Sequence, residues 1–550
     1  MNKALLAEVM LWIASDPDAK DRAELERLLE VDDEEELKTR FSSPLHFGTA
    51  GLRGPEIAGP SGMNRATVSR ATQGVVHWLE ATGVDASRGV VVGRDARHGS
   101  EKFNDEVIGV LLGANVKVYE MPAPMPTPLV PYVVKHLGLA AGIMITASHN
   151  PPRDNGYKLY DQSGSQIIAP SDEIVERYMA SASVVTHATR SSDWHAYVDP
   201  DVLDSYKRHM VERFGVATSR LSITYTPLHG VGGALMTEML AEAGYTDVAV
   251  VDAQFAPDGD FPTLAFPNPE EPGALDLALA KADAANSTLV IANDPDADRL
   301  GAAVRDGAGW RVLRGDEIGW LLASSLLDGA GPDDVVATSI VSSTLLEAMA
   351  KEAKVRYAVT LTGFKWISRA AGAGRLRFGY EEALGFAVDP LVADKDGMSA
   401  ALALCRLAHE LELEGKTLLD RLDEIEGHFG VHAGAQLSLR ADGPEGLTRI
   451  TRKVDALRAT PPASLGGLAV TRVVDLTQGA FGLAPTEGVY FELGEHGRVV
   501  VRPSGTEAKL KAYVEVTTNP DSPVTLDQQR DDAAATLGRV RDDLGTLLAF

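Results

Sequence analysis

The chain has 550 residues and a mass of 58.5 kDa, a length typical of about three to five domains. Hydrophobic residues make up 45% and charged residues 24%, a globular balance that excludes disordered, fibrous and low-complexity proteins. With 52 Lys and Arg against 78 Asp and Glu, the formal charge is −26. This excludes a general electrostatic grip on nucleic acid, and it leaves an anionic small substrate possible where basic residues converge locally.

The N-terminus predicts two amphipathic helices. The second lies in DRAELERLLE, and the first has an apolar stripe at helical spacing formed by Leu5, Leu6, Val9, Met10 and Ile13. Because Glu8 interrupts this apolar stretch and no small-residue cleavage site follows, we do not expect a signal peptide. The sequence contains no run of 18 apolar residues, so no membrane span is expected either.

The single cysteine, Cys405, lies in the apolar helical pattern ALALCRLAHEL. It is predicted to be a core residue, and no intrachain disulfide can form. A reducing cytoplasm is the expected compartment.

Beyond the opening helices, short runs rich in Val and Ile alternate with helical patterns, which predicts α/β domains with parallel sheets. The predicted strands form three groups, at 88–95, 116–121 and 140–148; at 221–230, 246–252 and 287–299; and at 333–340, 355–363 and 375–385. A long helix is predicted at 398–415.

In the last hundred or so residues the alternation of strands and helices gives way to successive strands, which predicts an antiparallel α+β domain. Strands are expected at 432–440, 468–476, 488–505 and 510–516, with a helix near 446–457 and a terminal helix. The predicted domains are therefore 1–210, 211–325, 326–440 and 441–550.

An exposed serine is predicted in TASHNPPRDNGYKLY (146–160), which begins where an apolar strand ends. Open α/β sheets bind ligands at such strand ends, so Ser148 and His149 are candidates for chemistry. The G-x-S-x-G elbow of a serine hydrolase is absent around Ser148. A serine that only caps a helix or turn is the alternative from this segment alone.

The segment NDPDADR (293–299) places Asp294, Asp296 and Asp298 at every second position after a buried run. Three carboxylates suit Mg²⁺, whereas without a cation they would repel one another; a solvated acidic turn is the alternative. A calcium EF-hand is disfavoured, because Arg299 and Arg305 stand where that motif needs Gly and Glu. An aspartyl-phosphate phosphatase of the haloacid-dehalogenase type is the chemical rival, although its motif usually has Thr or Val where Asp298 stands.

A sugar-binding loop is predicted in GYEEALGF (379–386), where Glu381 and Glu382 follow a strand. Adjacent carboxylates can accept hydrogen bonds from vicinal sugar hydroxyls. A pair of surface glutamates is the alternative.

A phosphate cradle is predicted in RPSGTEAKLK (502–511), where hydroxyls, backbone amides and a guanidinium fork surround a glycine. An ordinary basic turn is the alternative reading of this segment. The residues of the predicted cradle are Arg502, Ser504, Gly505, Thr506 and Lys509.

Taken together, these loops give the chain a specific resemblance that spans nearly its whole length. FGTAGLRG (47–54) and the motifs TASHNP, DPDADR, GYEEALGF and RPSGTEAK resemble, in order and spacing, those of the α-D-phosphohexomutases, the phosphoglucomutase and phosphomannomutase superfamily. The branch that it resembles most includes bacterial phosphoglucomutases, eukaryotic phosphopentomutase and glucose-1,6-bisphosphate synthase.

The resemblance implies a four-domain α/β architecture around a central cleft. Three domains would share a mixed α/β sheet fold, and a C-terminal α+β domain would resemble the TATA-binding protein. In chain order, these domains would carry the phosphoserine, metal, sugar and phosphate loops.

The resemblance also implies residue roles. Ser148 would be the phosphoserine, and its phosphate would complete a Mg²⁺ shell formed by Asp294, Asp296 and Asp298. Catalytic roles are implied for His149, Lys158, Arg53, Arg299 and Lys395. Thr362 and Gly363 would line the sugar site, Glu381 and Glu382 would bind sugar hydroxyls, and the cradle Arg502, Ser504, Gly505, Thr506 and Lys509 would hold the non-transferring phosphate.

The implied activity is that of an intramolecular phosphotransferase, classed among isomerases, that interconverts α-D-glucose 1-phosphate and glucose 6-phosphate. Glucose 1,6-bisphosphate would be its bound intermediate and activator, and sugar phosphates its partners. The proton of the attacking hydroxyl would pass to Lys395 or to His149, two candidates that the sequence does not separate.

Several alternatives stay open. The paired glutamates favour glucose over glucosamine, but Ala383 replaces a serine of glucose-specific relatives, so mannose and pentose phosphates are alternatives. A synthase that makes the bisphosphate is another. A phosphosugar sensor without catalysis would be expected to have lost Ser148 or the aspartates. The sequence does not predict an oligomeric state.

Overall fold

A computed structural model of the chain describes residues 2–48, 51–181, 187–191, 193–441, 445–504 and 509–550. The chain forms two compact units. Unit 1 comprises Met1–Leu313 and Gly385–His409, and unit 2 comprises Arg314–Leu384 and Glu410–Phe550.

The N-terminal segment forms helices α1 (Lys3–Ser15), α2 (Ala19–Glu30) and α3 (Glu34–Phe41). The first two confirm the predicted pair, and α3 is an addition that the sequence analysis did not predict. Its start is fixed by Asp33, whose side chain accepts a hydrogen bond from the backbone of Glu36. The three helices share one apolar cluster, which includes Val9, Leu25, Leu37 and Phe41.

A mixed sheet follows in unit 1, with strand order β1-β5-β4-β2-β3-β6. Strands β4, β2, β3 and β6 run parallel, whereas β1 and β5 pair antiparallel at one side. The central strands are continuous apolar runs because helices cover both of their faces. The elements are β1 (Leu52–Pro55), α4 (Arg65–Thr82), β2 (Val90–Arg94), α5 (Ser100–Gly113), β3 (Val118–Glu120), α6 (Leu129–Leu137), β4 (Ala141–Ile145), β5 (Asp154–Tyr160), α7 (Ser171–Ser181), β6 (His195–Tyr197) and α8 (Pro200–Phe214), with a short 3₁₀ helix at Ala86–Arg88.

A second sheet of unit 1 has the order β11-β10-β9-β7-β8. Its strands β9, β7 and β8 are parallel, and β9, β10 and β11 form an antiparallel meander. The turn between β9 and β10 contains the predicted acidic motif. The elements are β7 (Ser222–Thr226), α9 (Gly233–Glu242), β8 (Asp247–Val250), α10 (Asp252–Phe255), α11 (Asp276–Ala285), β9 (Leu289–Asn293), β10 (Leu300–Asp306) and β11 (Gly309–Val312).

Unit 2 begins with a parallel arrangement in which β12 lies between β13 and β14. Its elements are α12 (Gly315–Leu326), β12 (Asp334–Ser339), α13 (Leu345–Glu352), β13 (Arg356–Thr360), α14 (Phe364–Ile367) and β14 (Arg375–Glu381). The chain continues with β15 (Gly385–Ala387) and α15 (Gly397–Leu413). Residues 385–409, which the sequence analysis assigned to the third domain, group with unit 1.

The C-terminal part of unit 2 is an antiparallel sheet of order β16-β22-β21-β20-β19, packed on α17 and α18. Alternation along β21 explains its two buried faces, since Val499 and Val501 join the core under the helices while Val500 packs with Ile340 and Val341. The elements are α16 (Leu418–Phe429), β16 (His432–Arg440), α17 (Gly446–Ala459), β17 (Ser464–Leu465), β18 (Leu468–Ala469), β19 (Arg472–Asp475), β20 (Val489–Glu492), β21 (Gly497–Pro503), β22 (Lys509–Thr517) and α18 (Leu526–Leu548), with 3₁₀ turns at Leu476–Gln478 and Gly494–His496.

Two sequence predictions about the chain as a whole are addressed by this fold. Cys405 is fully buried in α15, as predicted, and burial raises the pKa of its thiol to about 12. Among the described residues, no helix is both long and apolar enough to cross a membrane.

Replacing Gly156 by alanine tests the packing of the first sheet. A Cβ at this position would lie 2.6 Å from the backbone oxygens of both Leu52 and Thr146, so overpacking is expected to lower the free energy of unfolding by about 1–3 kcal/mol. The matched control is Gly538→Ala in α18, where a Cβ meets nothing within 4 Å and where alanine is expected to stabilise by about 0.5–1 kcal/mol. Urea unfolding would measure both changes; equal effects of the two substitutions would contradict the described sheet contacts.

Candidate active site

The predicted serine lies in a tightly bent loop directly after β4. The predicted exposure of Ser148 is wrong, because the residue is buried against the acidic loop. Its φ is positive, at 52°, a conformation that costs a residue other than glycine about 1–3 kcal/mol and persists only where the surroundings impose it. Its backbone N–H donates to the hydroxyl of Thr146 at 2.8 Å, and the N–H of Asn150 donates to the carbonyl of Ala147 at 3.1 Å. These bonds turn the chain just beyond β4 and place the Ser148 hydroxyl against Asp294.

The three predicted metal ligands lie together in the turn between β9 and β10. One oxygen from each of Asp294, Asp296 and Asp298 falls within 4.8 Å of the others, and all three residues are buried. The Ser148 hydroxyl donates to Oδ2 of Asp294 at 2.6 Å, and the backbone of Arg299 donates to Oδ1 of Asp294 at 3.0 Å. The serine loop and the acidic loop, about 150 residues apart in the chain, therefore form one site.

Two lysines and a threonine surround the acidic loop. Lys158 on β5 donates to Oδ2 of both Asp296 and Asp298 at 2.7 Å. Lys395, from the segment that groups with unit 1, places its Nζ 3.2 Å from Oδ2 of Asp298. The hydroxyl of Thr127 donates to Oδ2 of Asp296 at 2.6 Å, and its backbone donates to the carbonyl of Asp296 at 2.9 Å. The structure thus brings both predicted lysines to the acidic loop.

The ionisation of this cluster follows from burial and neighbouring charge. Burial and the charges of Asp296 and Asp298 raise the pKa of Asp294 well above its usual range. Burial alone would raise the pKa of Asp298 as well, but the cations of Lys158, Lys395 and Arg299 outweigh it and hold that pKa low. Burial would likewise lower the pKa of Lys158, yet the two aspartates that it contacts raise it. Asp298 is consequently ionised and Lys158 charged at neutral pH.

The donor atoms of the acidic loop fit a divalent cation. Oδ1 of Asp296 and Oδ1 of Asp298 are buried and have no hydrogen-bond partner in the part of the chain that the structure describes. Buried carboxylate oxygens without partners are costly unless a cation pairs with them. An all-oxygen set of this kind matches the preference of Mg²⁺.

The remaining predicted catalytic residues also lie at this site. Nη1 of Arg53 donates to Asn150 at 3.2 Å, and Arg299 places Nη1 3.4 Å from Oε2 of Glu270. Nδ1 of His149 lies 3.0 Å from the Ser148 hydroxyl. Burial and the charges of Arg299 and Arg53 hold the pKa of His149 well below its usual range, so its imidazole is neutral at neutral pH.

Within unit 2, Glu381 stands at the end of β14 and accepts a hydrogen bond from the backbone N–H of Gly363 at 2.6 Å. Gly363 has a φ of 109°, which explains the glycine at this turn, since a side chain there would be strained. The contact unites two predicted sugar-site segments, because Thr362 and Gly363 lie in one of them and Glu381 in the other.

The second glutamate has different partners. Oε2 of Glu382 accepts hydrogen bonds from the hydroxyls of Ser342 at 2.8 Å and Ser339 at 3.3 Å. These serines lie at the end of β12 and just beyond it, and the sequence analysis missed them because no motif marks them. Glu382 is therefore fixed by side chains of the neighbouring strand, whereas Glu381 is fixed by a backbone amide.

The described residues of the predicted phosphate cradle lie where the paired strands β21 and β22 end and begin. The backbone N–H of Ser504 donates to the carbonyl of Lys509 at 2.8 Å, and Nη1 of Arg502 donates to the hydroxyl of Thr362. The cradle thus contacts the predicted sugar site through Arg502. Gly505 and Thr506 lie outside the described residues.

A buried ion pair between Glu515 and Arg498 contacts the segment that follows β12 in unit 2. Glu515 on β22 accepts from Nε of Arg498 at 2.9 Å and from the hydroxyl of Ser343 at 2.6 Å, and Nδ1 of His432 lies 3.0 Å from its Oε1. Arg498 in turn donates to the carbonyls of Ile340 and Ser342. The residues that hold Glu382 are therefore tied to the C-terminal sheet.

Comparison with known proteins identifies the family. Four models of the phosphoglucomutase/phosphomannomutase family match the chain: alpha/beta/alpha domain I at 44–185, domain II at 204–307, domain III at 314–427 and the C-terminal domain at 448–528. The chain belongs to the phosphoglucomutase/phosphomannomutase family. Its members are sugar-phosphate mutases, so the chain is an isomerase that transfers phosphoryl groups, and the expected four-domain fold class is confirmed.

Curated relatives of the chain are named for different sugars. A probable phosphomannomutase of Haemophilus influenzae is 39% identical over 82% of this chain and 93% of its own length. A probable phosphoribomutase of Schizosaccharomyces pombe is 37% identical over 92% of each chain. A phosphoglucomutase of Staphylococcus aureus is 34% identical over 87% of this chain and 91% of its own. These names do not agree on one sugar.

A solved structure supports the fold. The putative phosphomannomutase from Thermus thermophilus superposes with a TM-score of 0.68 at 24% identity, over 91% of this chain and 99% of that one.

Asp296→Asn tests the acidic loop of this family member as a metal site. Removing one charge from three buried carboxylates is expected to weaken Mg²⁺ binding by at least about tenfold, or ~1.4 kcal/mol. Titration calorimetry with MgCl₂ would measure the affinity without turnover. The control is Asp531→Asn, the same change on an exposed face of α18; if both variants bound Mg²⁺ like the unmodified protein, the metal assignment would be wrong.

Glu515→Gln tests the buried pair of unit 2. Burial tends to raise the pKa of Glu515, but Arg498 and His432 outweigh this and hold that pKa below its usual range. A group with a depressed pKa contributes its full stabilisation when the pH is above its unfolded pKa of about 4.3. That stabilisation is lost as the pH falls through the folded pKa. The free energy of unfolding of the variant should therefore be lower by about 3–5 kcal/mol at pH 7. The difference from the unmodified protein should become smaller below about pH 4.3.

Urea unfolding across this pH range would measure the effect, with exposed Glu495→Gln as the control. A loss that did not change with pH would contradict the assigned charge on Glu515.

Proposed function

We propose that the protein is a phosphoglucomutase that interconverts α-D-glucose 1-phosphate and glucose 6-phosphate through a phosphoserine at Ser148. The observation that supports this proposal most is the buried contact of the Ser148 hydroxyl with Asp294, within the three-aspartate loop. A hydroxyl held against a divalent-cation site is the arrangement that phosphoryl transfer needs, since this chemistry depends on positioning and charge neutralisation.

In the first step, phosphorylated Ser148 donates its phosphoryl group to the free hydroxyl of the sugar monophosphate. The bond between phosphorus and the Ser148 oxygen breaks, a bond to the sugar oxygen forms, and the proton of the sugar hydroxyl passes to a base. The product is glucose 1,6-bisphosphate. The freed Ser148 oxygen takes up a proton, and the bisphosphate turns around. In the second transfer, the bond between the other phosphorus and its sugar oxygen breaks and a bond to the Ser148 oxygen forms. The Ser148 proton passes through the base to the freed sugar oxygen, and the isomerised monophosphate leaves.

Residues around Ser148 would stabilise the transferring group. Arg53 and Arg299 would contact its equatorial oxygens, and Lys158 would keep Asp296 and Asp298 oriented. Mg²⁺ held by the three aspartates and Ser148 would supply neutralising charge. Of the two candidate bases, His149 is favoured, because its Nδ1 lies 3.0 Å from the Ser148 hydroxyl and its low pKa leaves a neutral imidazole that can accept a proton. Nζ of Lys395 instead lies 3.2 Å from Asp298 and 3.5 Å from Asp394.

Unit 2 would bind the sugar and its other phosphate. Glu381 and Glu382 are proposed to accept hydrogen bonds from sugar hydroxyls, beside Thr362 and Gly363. The cradle residues Arg502, Ser504, Gly505, Thr506 and Lys509 are proposed to hold the phosphate that is not transferred. The contact between Arg502 and Thr362 supports a single binding surface made from both segments.

Glucose is proposed because two adjacent glutamates suit vicinal hydroxyls, and because the phosphoglucomutase of Staphylococcus aureus is a relative. The phosphomannomutase and phosphoribomutase relatives favour mannose or ribose phosphate as the second candidate substrate. Formation of glucose 1,6-bisphosphate as the final product, as in a synthase, is the third. The domain bounds predicted from sequence, a cytoplasmic location and activation by the bisphosphate belong to the same proposal.

Ser148→Ala tests the phosphoserine. Without the hydroxyl, no phosphoryl group can be carried, so turnover should fall by about 10⁴-fold or more. Mass spectrometry after incubation with glucose 1,6-bisphosphate should find the phosphate on Ser148, whereas exposed Ser163→Ala should change neither readout. Retention of more than about one per cent of activity by Ser148→Ala would refute the assignment.

A substrate panel tests the sugar. Glucose, mannose and ribose 1-phosphates are offered separately with Mg²⁺ and a trace of the matching bisphosphate, and phosphorus NMR follows the products. Glucose is expected to react at least about tenfold faster, a preference of ~1.4 kcal/mol in the transition state, and Glu381→Gln should reduce that preference. Faster reaction of mannose or ribose would refute glucose specificity, and accumulation of bisphosphate would indicate the synthase.

A further inference from the structure

Arg97 is a buried residue of unit 1 that neither the sequence motifs nor the proposed mechanism uses. It follows β2 in the run GRDAR (93–97), and only 3% of the residue is exposed. Both terminal nitrogens of its guanidinium donate to backbone carbonyls of the serine loop. The four bonds run from Nη2 to Ser148 at 2.7 Å and Asn150 at 2.6 Å, and from Nη1 to Pro151 at 2.7 Å and Asp154 at 2.9 Å.

These bonds act where the loop is least favourable. Ser148 has a positive φ, so its conformation must be imposed by contacts. The carbonyl of Ser148 is one of the four acceptors, and the other three follow along the same bend. A planar guanidinium can hold several carbonyls in fixed directions at once, which a lysine ammonium on a flexible stem cannot do.

Arg97 is itself held in place on two sides. Oδ1 of Asp95 accepts the backbone N–H of Arg97 at 3.0 Å, and its Oδ2 lies 3.4 Å from Nε of Arg97. The ring of Phe261 lies 5.0 Å from the guanidinium carbon. Nearby, a Cβ on Gly259 would approach the carbonyl of Ala96 to 3.2 Å. The guanidinium is therefore fixed before any substrate binds.

We propose that Arg97 is a positioning residue for the phosphoryl-transfer reaction, acting through the backbone of the serine loop to hold the Ser148 hydroxyl toward Asp294. This inference rests on the proposed role of Ser148. None of the four bonds involves the Ser148 hydroxyl, so Arg97 acts through the loop rather than on the reacting atoms. Its loss should affect the rate of transfer much more than the binding of sugar phosphate.

The experiment compares Arg97→Lys with Arg40→Lys. Arg40 is also buried, and it contacts Glu24, Glu36 and the carbonyl of Ala58 rather than the serine loop. Both substitutions keep the charge and remove the guanidinium fork. Three quantities are measured in each variant: the melting temperature, hydrogen–deuterium exchange of the peptide covering 146–156, and kcat and KM for glucose 1-phosphate.

For Arg97→Lys, exchange in this peptide should rise by at least about tenfold, and kcat should fall by about 10²-fold with KM changed by less than about threefold. Arg40→Lys should leave both readouts unchanged even where it lowers the melting temperature. Unchanged exchange and kcat in folded Arg97→Lys, or equal effects in both variants, would overturn the proposal. The exchange readout needs no turnover, so it tests the contact with the loop separately from the phosphoserine, which Ser148→Ala tests.

If Arg97→Lys does not fold, Phe261→Leu replaces it. This variant keeps every hydrogen bond of Arg97 and removes the ring that lies against the guanidinium. Exchange in 146–156 should then rise and kcat should fall, each by about threefold or more, with KM unchanged. Unchanged values in this variant would overturn the proposal.

Discussion

The repulsion between three carboxylates on one short turn is the constraint on which the centre of unit 1 depends. Asp294, Asp296 and Asp298 are buried together, and such a cluster is stable only when cations and hydrogen-bond donors surround it. Those donors come from distant parts of the chain, among them Thr127, Ser148, Lys158 and Lys395. The requirement to neutralise one turn thereby determines which strand ends and which later segment must meet.

The same requirement reconciles an acidic protein with an anionic substrate. The chain carries a formal charge of −26, which would repel sugar phosphates if charge were spread evenly. Arg53, Lys158, Arg299 and Lys395 instead gather around the acidic turn. Cations gathered at a buried site have more influence on a bound phosphate than distant surface charge, which salt screens.

The sequence predicted the parts of the site that continuous motifs carry. Ser148 and the aspartates were found because each follows an apolar strand, and Lys158 because the family resemblance implied a role for it. Thr127 was missed because its contact with the distant Asp296 leaves no pattern in a single sequence. Arg97 was missed because its partners are backbone carbonyls, which no motif identifies. Helix α3 was missed because its acidic start obscures a narrow stripe of Leu37 and Phe41. A weak signal for Arg97 existed, since GRDAR follows a buried strand at its ligand-binding end.

The state of Cys405 has a practical consequence for studying this enzyme. The chain has one cysteine, and that thiol is buried, with a pKa raised to about 12. Thiolates rather than thiols react with maleimide or iodoacetamide reagents, so we expect Cys405 to be unreactive toward them in the folded state. A cysteine introduced at any exposed position can therefore be labelled selectively in the natural background, and spectroscopic probes can be attached to either unit without first removing a native residue.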